Sequence, residues 1–266
     1  MRELATLWIG ERLNDIEIAS LWSFASQGQK VKLYAYGPVA GTPRGVEIAD
    51  AGEILSGDPI VRHKKTGSPA IHADLFRYAM IARTGAVWVD LDMIALKPFV
   101  FSSDYVCGFE RPDSVNNAVL GLPQDSPTLK ALCALRPDTR GLPEGLQGLR
   151  RLRYQAKNLL AGGLPISRWP WGDTGPAILT RELIRNGEDR HVLPRDAFYG
   201  VGIEDLARFA EPGRLDRASF PDQAYGAHLW ASQLRRHLTQ HHDGRFPPGS
   251  FVATLLDEAR RDGFTS

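Results

Sequence analysis

The sequence predicts an α/β fold in which a mostly parallel central sheet is flanked by helices. Two observations lead to this prediction. Short apolar runs alternate with helical patterns through the first half of the chain, as happens where helices connect parallel strands. One of these runs, Ala86-Val87-Trp88-Val89, is apolar at every position, as expected of a strand covered on both faces. A length of 266 residues allows one large domain or two small ones.

The first elements follow from apolar runs and from residues that favour helix ends. Residues 7–10 predict a first strand, and Asn14 is suited to cap a helix that ends at Gly28. Residues 31–36 predict a second strand. The segment 41–68 is rich in glycine, proline and charge, so we expect mainly a connecting loop there.

A second helix is predicted from Ala73, because Leu75, Tyr78 and Ala82 recur at helical spacing and Gly85 follows as a stop. The second half of the chain is less regular. Its predicted strands lie at 105–109 and 118–122, and its predicted helices at 126–135, 146–160 and 176–185. No clear boundary divides the chain, so we expect one domain with a C-terminal helical elaboration.

Composition and charge exclude several classes of protein. The chain carries 32 Lys+Arg and 31 Asp+Glu, a net charge of +1, so no overall field favours nucleic acid. The longest apolar stretch, 78–101, is interrupted by charges and does not predict a membrane span. The first residues do not resemble a secretory signal, and Cys107 and Cys133 lack the spacing of a disulfide or zinc framework. We expect a cytoplasmic protein, at most peripheral at the inner face of a membrane.

Two carboxylates, Asp90 and Asp92, follow the buried strand at an interval of two residues. Side chains two apart on an extended chain point to the same side, and ligands bind at the carboxyl ends of strands in open α/β sheets. Such a pair suits Mg²⁺ or Mn²⁺ that takes the rest of its shell from water and a diphosphate. The alternative is that both side chains only cap the following turn by hydrogen bonds to backbone amides.

Asp74 and Arg77 lie one helical turn apart, on a face away from the apolar stripe. Alone they would form an ordinary surface ion pair. Their position before a glycine, an apolar strand and the D-x-D pair makes the whole arrangement more specific than any of its parts.

The motifs Ala73-Asp74-Leu75-Phe76-Arg77-Tyr78, Gly85-Ala86-Val87-Trp88-Val89-Asp90-Leu91-Asp92 and Leu96-Lys97-Pro98 resemble the DXD sugar-binding region of a retaining glycosyltransferase family. That family includes yeast-type initiating mannosyltransferases, α-1,4-galactosyl- and N-acetylglucosaminyltransferases, bacterial capsule enzymes and, more distantly, the glucosylating clostridial toxins. The resemblance is specific over 71–99, about a tenth of the chain. Ala86 and Trp88 depart from the usual glycine and tyrosine. Weaker similarities are found at 7–10, 117–120, 174–176 and 227–230.

The resemblance implies a GT-A-like fold over 1–266, with a nucleotide-sugar-binding half at 1–122 and the acceptor side at 123–266. In such a fold Asp92 binds the metal directly, and Asp90 contacts the metal or the ribose. The resemblance implies a catalytic role for both aspartates. Asp74 and Arg77 match residues that hold donor-sugar hydroxyls. His228 matches a third metal ligand, although it could equally be a core histidine. The residues implied to form the nucleotide pocket are Trp8, Ile9, Gly10 and Tyr36.

Two further features have more than one interpretation. Asp173 could contact the transferred sugar or the acceptor, or it could cap the helix that Pro176 begins. The basic segment 150–157 is typical of a solvated helix face, but it could also attract anionic lipid or a polyanionic acceptor.

The resemblance predicts a glycosyltransferase that uses Mn²⁺ or Mg²⁺ in polysaccharide biosynthesis. We expect it to move a hexose or N-acetylhexosamine, with retention, from a nucleotide diphosphate sugar, preferably a UDP-sugar, to a saccharide or glycolipid. The alternatives are a haloacid-dehalogenase-type phosphatase, which also places D-x-D after a strand, and a nucleotide-sugar-binding protein without activity. The phosphatase family normally has its motif near the N-terminus, whereas about ninety residues precede it here.

Overall fold

The computed structural model describes residues 2–265 and shows the predicted mixed α/β class. A six-stranded sheet has the order β3-β2-β1-β4-β7-β6, and β5 and β8 form a small second sheet. The strands are β1 (Leu4–Trp8), β2 (Val31–Ala35), β3 (Ile48–Asp50), β4 (Val87–Val89), β5 (Met93–Ala95), β6 (Val106–Arg111), β7 (Ser114–Gly121) and β8 (Gly226–His228). Strands β3, β2, β1 and β4 are parallel, while β7 and β6 are antiparallel additions.

Seven α-helices surround the sheets within the described residues. They are α1 (Asp15–Ala25), α2 (Ala70–Thr84), α3 (Pro127–Cys133), α4 (Gly148–Leu160), α5 (Pro176–Arg185), α6 (Ala231–His241) and α7 (Phe251–Arg261). Helices α2, α3 and α5 contribute to one apolar core, and α1 contributes to the core on the other face of the six-stranded sheet. Helices α1 and α7 contribute to a third core with β5 and β8. Among residues 2–265 no helix combines the length and the hydropathy that are needed to cross a membrane.

The helix ends follow the predicted chemistry. Asn14 caps α1 in a capping box with Glu17. Gly85 ends α2 in the left-handed conformation, with φ 70°, and its N–H donates to Ile81 O. This turn leads directly into β4, whose three residues are all buried.

Several predicted bounds are wrong. The first strand is Leu4–Trp8 rather than 7–10, because Leu4 and Ala5 already pack into opposite cores. The predicted loop 41–68 contains the edge strand β3. Strands β5 and β8 and helix α7 were not predicted from the sequence. The short strands β5 and β8 have too few residues for a periodic pattern.

Candidate functional site

Asp90 follows β4 at the carboxyl edge of the parallel strands. Its backbone N–H donates to Ala118 O at 2.7 Å, which keeps it beside β7. Its Oδ1 atom accepts hydrogen bonds from Trp88 Nε1 at 2.6 Å and from Arg77 Nη2 at 2.9 Å. Within residues 2–265 nothing donates to Oδ2, so this oxygen is available to a ligand while Oδ1 fixes the carboxylate.

Asp92 is held by two contacts from the C-terminal half of the chain. Its Oδ1 atom lies 3.1 Å from His228 Nε2, and its Oδ2 atom accepts the Ala231 N–H at 2.8 Å. The pairing of β5 with β8 places Met93 opposite His228, which brings the imidazole to the D-x-D pair. Of the contacts that hold the two carboxylates, only the one from Ala231 comes from a backbone amide. The interpretation of Asp90 and Asp92 as a pure turn cap is therefore wrong.

An unusual backbone turn orients the Ala231 amide. Trp230 has φ 57° and ψ 50°, a left-handed conformation that is rare outside glycine and costs on the order of 1–3 kcal/mol. Its Nε1 donates to Val201 O at 3.2 Å, and its ring centroid lies 4.3 Å from that of His228. The tight turn starts α6 at Ala231 and aims the first helical N–H at Asp92.

Asp90, Asp92 and His228 can hold a metal ion. Their potential ligand atoms all lie within 4.8 Å of one another, and within the described chain no other group of three acidic, cysteine or histidine residues does so. His228 Nδ1 is buried without a hydrogen-bond partner, so the ring has a spare polar atom in an apolar setting. Two carboxylates and an imidazole suit Mn²⁺ or Mg²⁺, and this donor set fits the predicted metal.

Electrostatics divide the roles of these three residues. Burial raises the pKa of Asp90, and the nearby Arg77 only partly offsets this. Burial also disfavours charge on Asp92, but the adjacent His228 outweighs it and lowers the Asp92 pKa. Burial favours a neutral His228, yet the Asp92 carboxylate raises its pKa. Asp92 and His228 thus favour each other's charged form, next to the Asp90 carboxylate, whose charge Arg77 compensates only in part.

Asp74 and Arg77 are buried members of the same network. Asp74 accepts hydrogen bonds from Thr174 Oγ1 at 2.7 Å and from Asn117 Nδ2 at 2.9 Å. Arg77 donates to Asn117 O at 2.6 Å and lies 3.7 Å from Asp74. The Arg77 guanidinium also stacks 4.6 Å from the Trp88 ring. The surface-pair interpretation is wrong, because both side chains are almost fully enclosed.

A cavity of about 300 Å³ opens beside this network. Its lining includes Asp74, Arg77 and Asp90, together with Thr6 from β1 and Trp171 from the loop before α5. Thr6 Oγ1 and Arg77 Nε are buried without a partner in the protein, as expected where a polar ligand completes the hydrogen bonding. Trp171 is 60% exposed and offers an open aromatic face.

A larger cavity of about 1040 Å³ lies at the N-terminus of α1. Arg12, Arg44 and Arg235 are among its lining residues, and Arg235 is paired with Glu17. The charge of Arg235 also lowers the pKa of Asp92. Its size alone would favour this cavity as the functional site. The described residues that could bind a metal, however, are not among those that line it.

The structure brings together five of the predicted site residues and leaves others apart. The five that meet are Asp74, Arg77, Asp90, Asp92 and His228. Asp173 does not line the smaller cavity. Burial raises the pKa of its half-buried carboxylate, and the charges of Arg150 and Arg181 offset this only in part. The alternative interpretation of Asp173 as a helix cap is wrong, since Gly175 is the N-cap of α5 and no side chain caps it.

The predicted nucleotide-pocket residues are not among those that line the small cavity. Trp8 ends β1, and its indole lies close to Gly10, because a Cβ at Gly10 would meet the Trp8 indole at 3.0 Å, a tight contact. The Tyr36 hydroxyl contacts His72 Nε2 at 2.6 Å and donates to Leu55 O at 2.9 Å. Ile9 and Tyr36 both pack, partly buried, against the core that contains Tyr34 and Phe76.

Three residues of the network had no predicted role. The sequence predicts Trp88 only as a buried strand residue, although its indole N–H orients Asp90. Asn117 and Thr174 fall in weak similarities to the family, and they hold the Asp74 carboxylate. Asn117 directly precedes the predicted strand 118–122, and this position was its one available signal, because an amide at the start of a buried strand requires hydrogen-bond partners.

Comparisons with known proteins add little to this geometry. No protein-family model matches the sequence, and no curated protein matches it. Among the solved structures that match is one titled "PaToxG Glycosyltransferase", with a TM-score of 0.44 and 12% identity over 71% of this chain and 70% of that one. So distant a likeness carries no argument about activity, and function is inferred from the side chains.

Proposed function

We propose that this protein is a metal-dependent glycosyltransferase that uses a nucleotide diphosphate sugar, preferably a UDP-sugar. The observation that carries the proposal is the double role of Asp90. This residue belongs to the cluster that can bind a metal, and it also lines the cavity with Asp74 and Arg77. A sugar in that cavity and a diphosphate at the metal would be neighbours, as glycosyl transfer requires.

Asp90, Asp92 and His228 are proposed to hold Mn²⁺ or Mg²⁺. When bound, the cation would neutralise charge that develops on the diphosphate leaving group. Trp88 and Arg77 fix the Asp90 carboxylate through Oδ1 and leave Oδ2 free. Ala231 and His228 fix Asp92. Such supporting contacts orient the ligands before the substrate arrives.

The donor sugar is proposed to occupy the small cavity. About 300 Å³ is near the lower limit for a ligand pocket, so it suits a hexose or N-acetylhexosamine ring better than a complete nucleotide sugar. The Asp74 oxygens have lone pairs beyond those used by Thr174 and Asn117, and they can accept sugar hydroxyls. Trp171 offers an aromatic surface for the sugar's apolar face.

The nucleotide is proposed to lie at Trp8, Ile9, Gly10 and Tyr36. Strands β1 and β4 are adjacent and parallel, so the end of β1 meets the same sheet edge as Asp90, which supports this placement. We retain residues 1–122 as the proposed donor half and 123–266, including Asp173, as the proposed acceptor side. The acceptor is proposed to be a saccharide or glycolipid.

Retention of configuration is part of the proposal. In a front-face displacement the departing phosphate can take the proton of the acceptor hydroxyl, so the protein need not supply a base. An inverting enzyme would instead need a positioned Asp, Glu or His. The anomeric configuration of the product, read by NMR, distinguishes the two outcomes.

The test is a donor screen with the full chain. UDP-glucose, UDP-galactose, UDP-N-acetylglucosamine and GDP-mannose are each assayed for hydrolysis and calorimetric binding, with and without Mn²⁺. We expect one donor to bind and hydrolyse only with the metal, and Asp92→Asn to abolish both. Asp257→Asn, at an aspartate 63% exposed on α7, is the matched control and should behave as the wild type.

Other outcomes of the same screen contradict the proposal. Binding of no nucleotide sugar at millimolar concentration with metal would reject it. Metal-dependent release of phosphate from p-nitrophenyl phosphate, without sugar transfer, would favour the phosphatase alternative. Tight donor binding without turnover on any acceptor or water would favour a binding protein.

A further inference from the structure

Helix α4 presents its apolar side to solvent. Leu149, Leu152, Leu159 and Leu160 are 84%, 61%, 83% and 88% exposed, and no residue of this thirteen-residue helix is buried. Leu149, Leu152, Ala156 and Leu159 recur at intervals of three and four residues, so they form one stripe. Apolar stripes of ordinary surface helices face the core, and this one does not.

The opposite side of the helix attaches it to the protein. Tyr154 packs against the small core formed with Leu164 and Trp169, and Asn158 Oδ1 accepts the Leu164 N–H at 2.7 Å. Residues 154 and 158 are about half a helical circumference from the leucine stripe. The attachment therefore directs the leucines outward.

Positive charge borders the stripe. Arg150, Arg153 and Lys157 lie along one edge of it at helical spacing, Arg151 lies elsewhere on the helix, and the helix contains no acidic residue. Lys157 Nζ lies 4.6 Å from the Tyr154 ring, which places this charge between the stripe and the attached side of the helix. Leucines with adjacent arginine and lysine match a helix that lies in a bilayer interface, with apolar side chains among acyl chains and cations at the headgroups.

We propose that α4 docks this protein onto an anionic phospholipid bilayer. The helix has four basic residues and no acidic one, and Asp173 interacts with only one of them, Arg150, so its net positive charge complements anionic headgroups. It also disfavours a second copy as the occupant, because paired α4 helices would bring basic residues together. The inference is independent of the proposed glycosyl transfer, since it uses no residue of the metal cluster or the small cavity.

The test is vesicle flotation with the full chain. Vesicles are made of phosphatidylcholine alone, or of equal parts phosphatidylcholine and phosphatidylglycerol. We expect the protein to float only with the anionic vesicles and to be released at high salt. Two variants probe the helix: Leu149→Gln/Leu152→Gln/Leu159→Gln and Arg150→Gln/Arg153→Gln/Lys157→Gln. Each should weaken binding about tenfold or more.

Matched controls lie outside α4. Ile184→Gln/Ile203→Gln removes apolar side chains that are 60% and 44% exposed. Arg111→Gln/Arg214→Gln/Arg260→Gln removes three charges at arginine side chains that are 66%, 62% and 58% exposed. Both control variants should float as the wild type does, and thermal melting checks that all variants fold.

Three outcomes would overturn the inference. They are the absence of flotation for the folded wild type, equal flotation with neutral vesicles, and unchanged flotation of the α4 variants. A concentration-dependent dimer that the leucine variant abolishes, without vesicle binding, would instead identify a second copy as the occupant and also overturn it.

Discussion

Arg77 Nη2 lies 2.9 Å from Asp90 Oδ1, so a helix residue and a strand-end residue form a nearly buried ion pair. The same guanidinium reaches Asp74 at 3.7 Å. One cation thus links the proposed sugar cavity to the proposed metal site. Its removal would leave two carboxylates without their charge partner.

We predict that Arg77→Ala destabilises the protein by about 3–5 kcal/mol, because the variant leaves Asp74 and Asp90 buried and uncompensated. Denaturant unfolding measures the effect. Arg260→Ala, which removes one half of an exposed pair with Asp257, should cost less than about 1 kcal/mol. If both variants lost the same small amount, the Arg77 network would not contribute to the fold as described.

Asp74→Asn is the better probe of sugar recognition. The amide can still pair with Thr174 and Asn117, so the fold should survive while the charge that we propose faces the sugar hydroxyls is lost. We expect about tenfold weaker binding of the UDP-sugar and little change for UDP, since hydrogen bonds to a charged group contribute about 1.5–3 kcal/mol. Calorimetry compares the two ligands, and equal losses for both would remove the sugar-contact role.

Trp88→Phe tests the positioning of Asp90. The substitution keeps an aromatic ring and removes the indole N–H that donates at 2.6 Å. We expect Mn²⁺ affinity to fall by about tenfold, the lower part of the range for residues that orient metal ligands. Trp22→Phe, at a tryptophan in the α1 core, is the control. Unchanged affinity in Trp88→Phe would show that Asp90 needs no such support.

Local patterns predicted the central part of the fold and the position of the D-x-D pair at a strand end. The spacing of Leu75 and Tyr78, the stop at Gly85 and the apolar strand before Asp90 are all properties of neighbouring residues, and the structure confirms the helix, the turn and the strand. Periodicity is informative over such contiguous segments. The D-x-D pair was therefore located correctly at a strand end.

Contacts between distant segments were harder to predict. His228 is 136 residues from Asp92, and the three-residue strand that places it has no periodic signal; only family resemblance suggested it. Thr174 is 100 residues from Asp74. No local pattern shows that a threonine before a Gly-Pro pair donates a hydrogen bond to a buried carboxylate. The outward direction of the α4 leucines likewise depends on where Tyr154 packs, which is a tertiary property.

A buried histidine near the predicted nucleotide pocket should make stability depend on pH. Burial, with Arg62 nearby, lowers the pKa of His72 from 6.5 to about 4, and Val61 N–H donates to its Nδ1 at 3.2 Å, which requires the unprotonated atom. The unfolded chain takes up a proton as pH falls below 6.5 while the folded chain does not until about 4. The free energy of unfolding should therefore decrease as the pH is lowered from 6.5 to about 4. His72 contributes at most about 1.4 kcal/mol per pH unit to this decrease.

Urea unfolding at a series of pH values checks this prediction. His72→Gln removes the titrating group and should have a shallower loss of stability between those pH limits. Gln233→Asn, at an exposed position on α6 without a titrating side chain, should keep the wild-type slope. A His72→Gln slope equal to that of the wild type would mean that His72 does not stay neutral in the folded protein.

Calorimetric titration of Mn²⁺ into the folded protein tests the account most directly, because every proposed catalytic role depends on Asp90, Asp92 and His228 holding a divalent ion. We predict one saturable site in the wild type and in Asp257→Asn, and loss of that site in Asp92→Asn with cooperative melting retained. Two results would contradict the account. One is equal Mn²⁺ binding by Asp92→Asn and the wild type. The other is that neither the folded wild type nor the folded Asp257→Asn control binds Mn²⁺, even with UDP present.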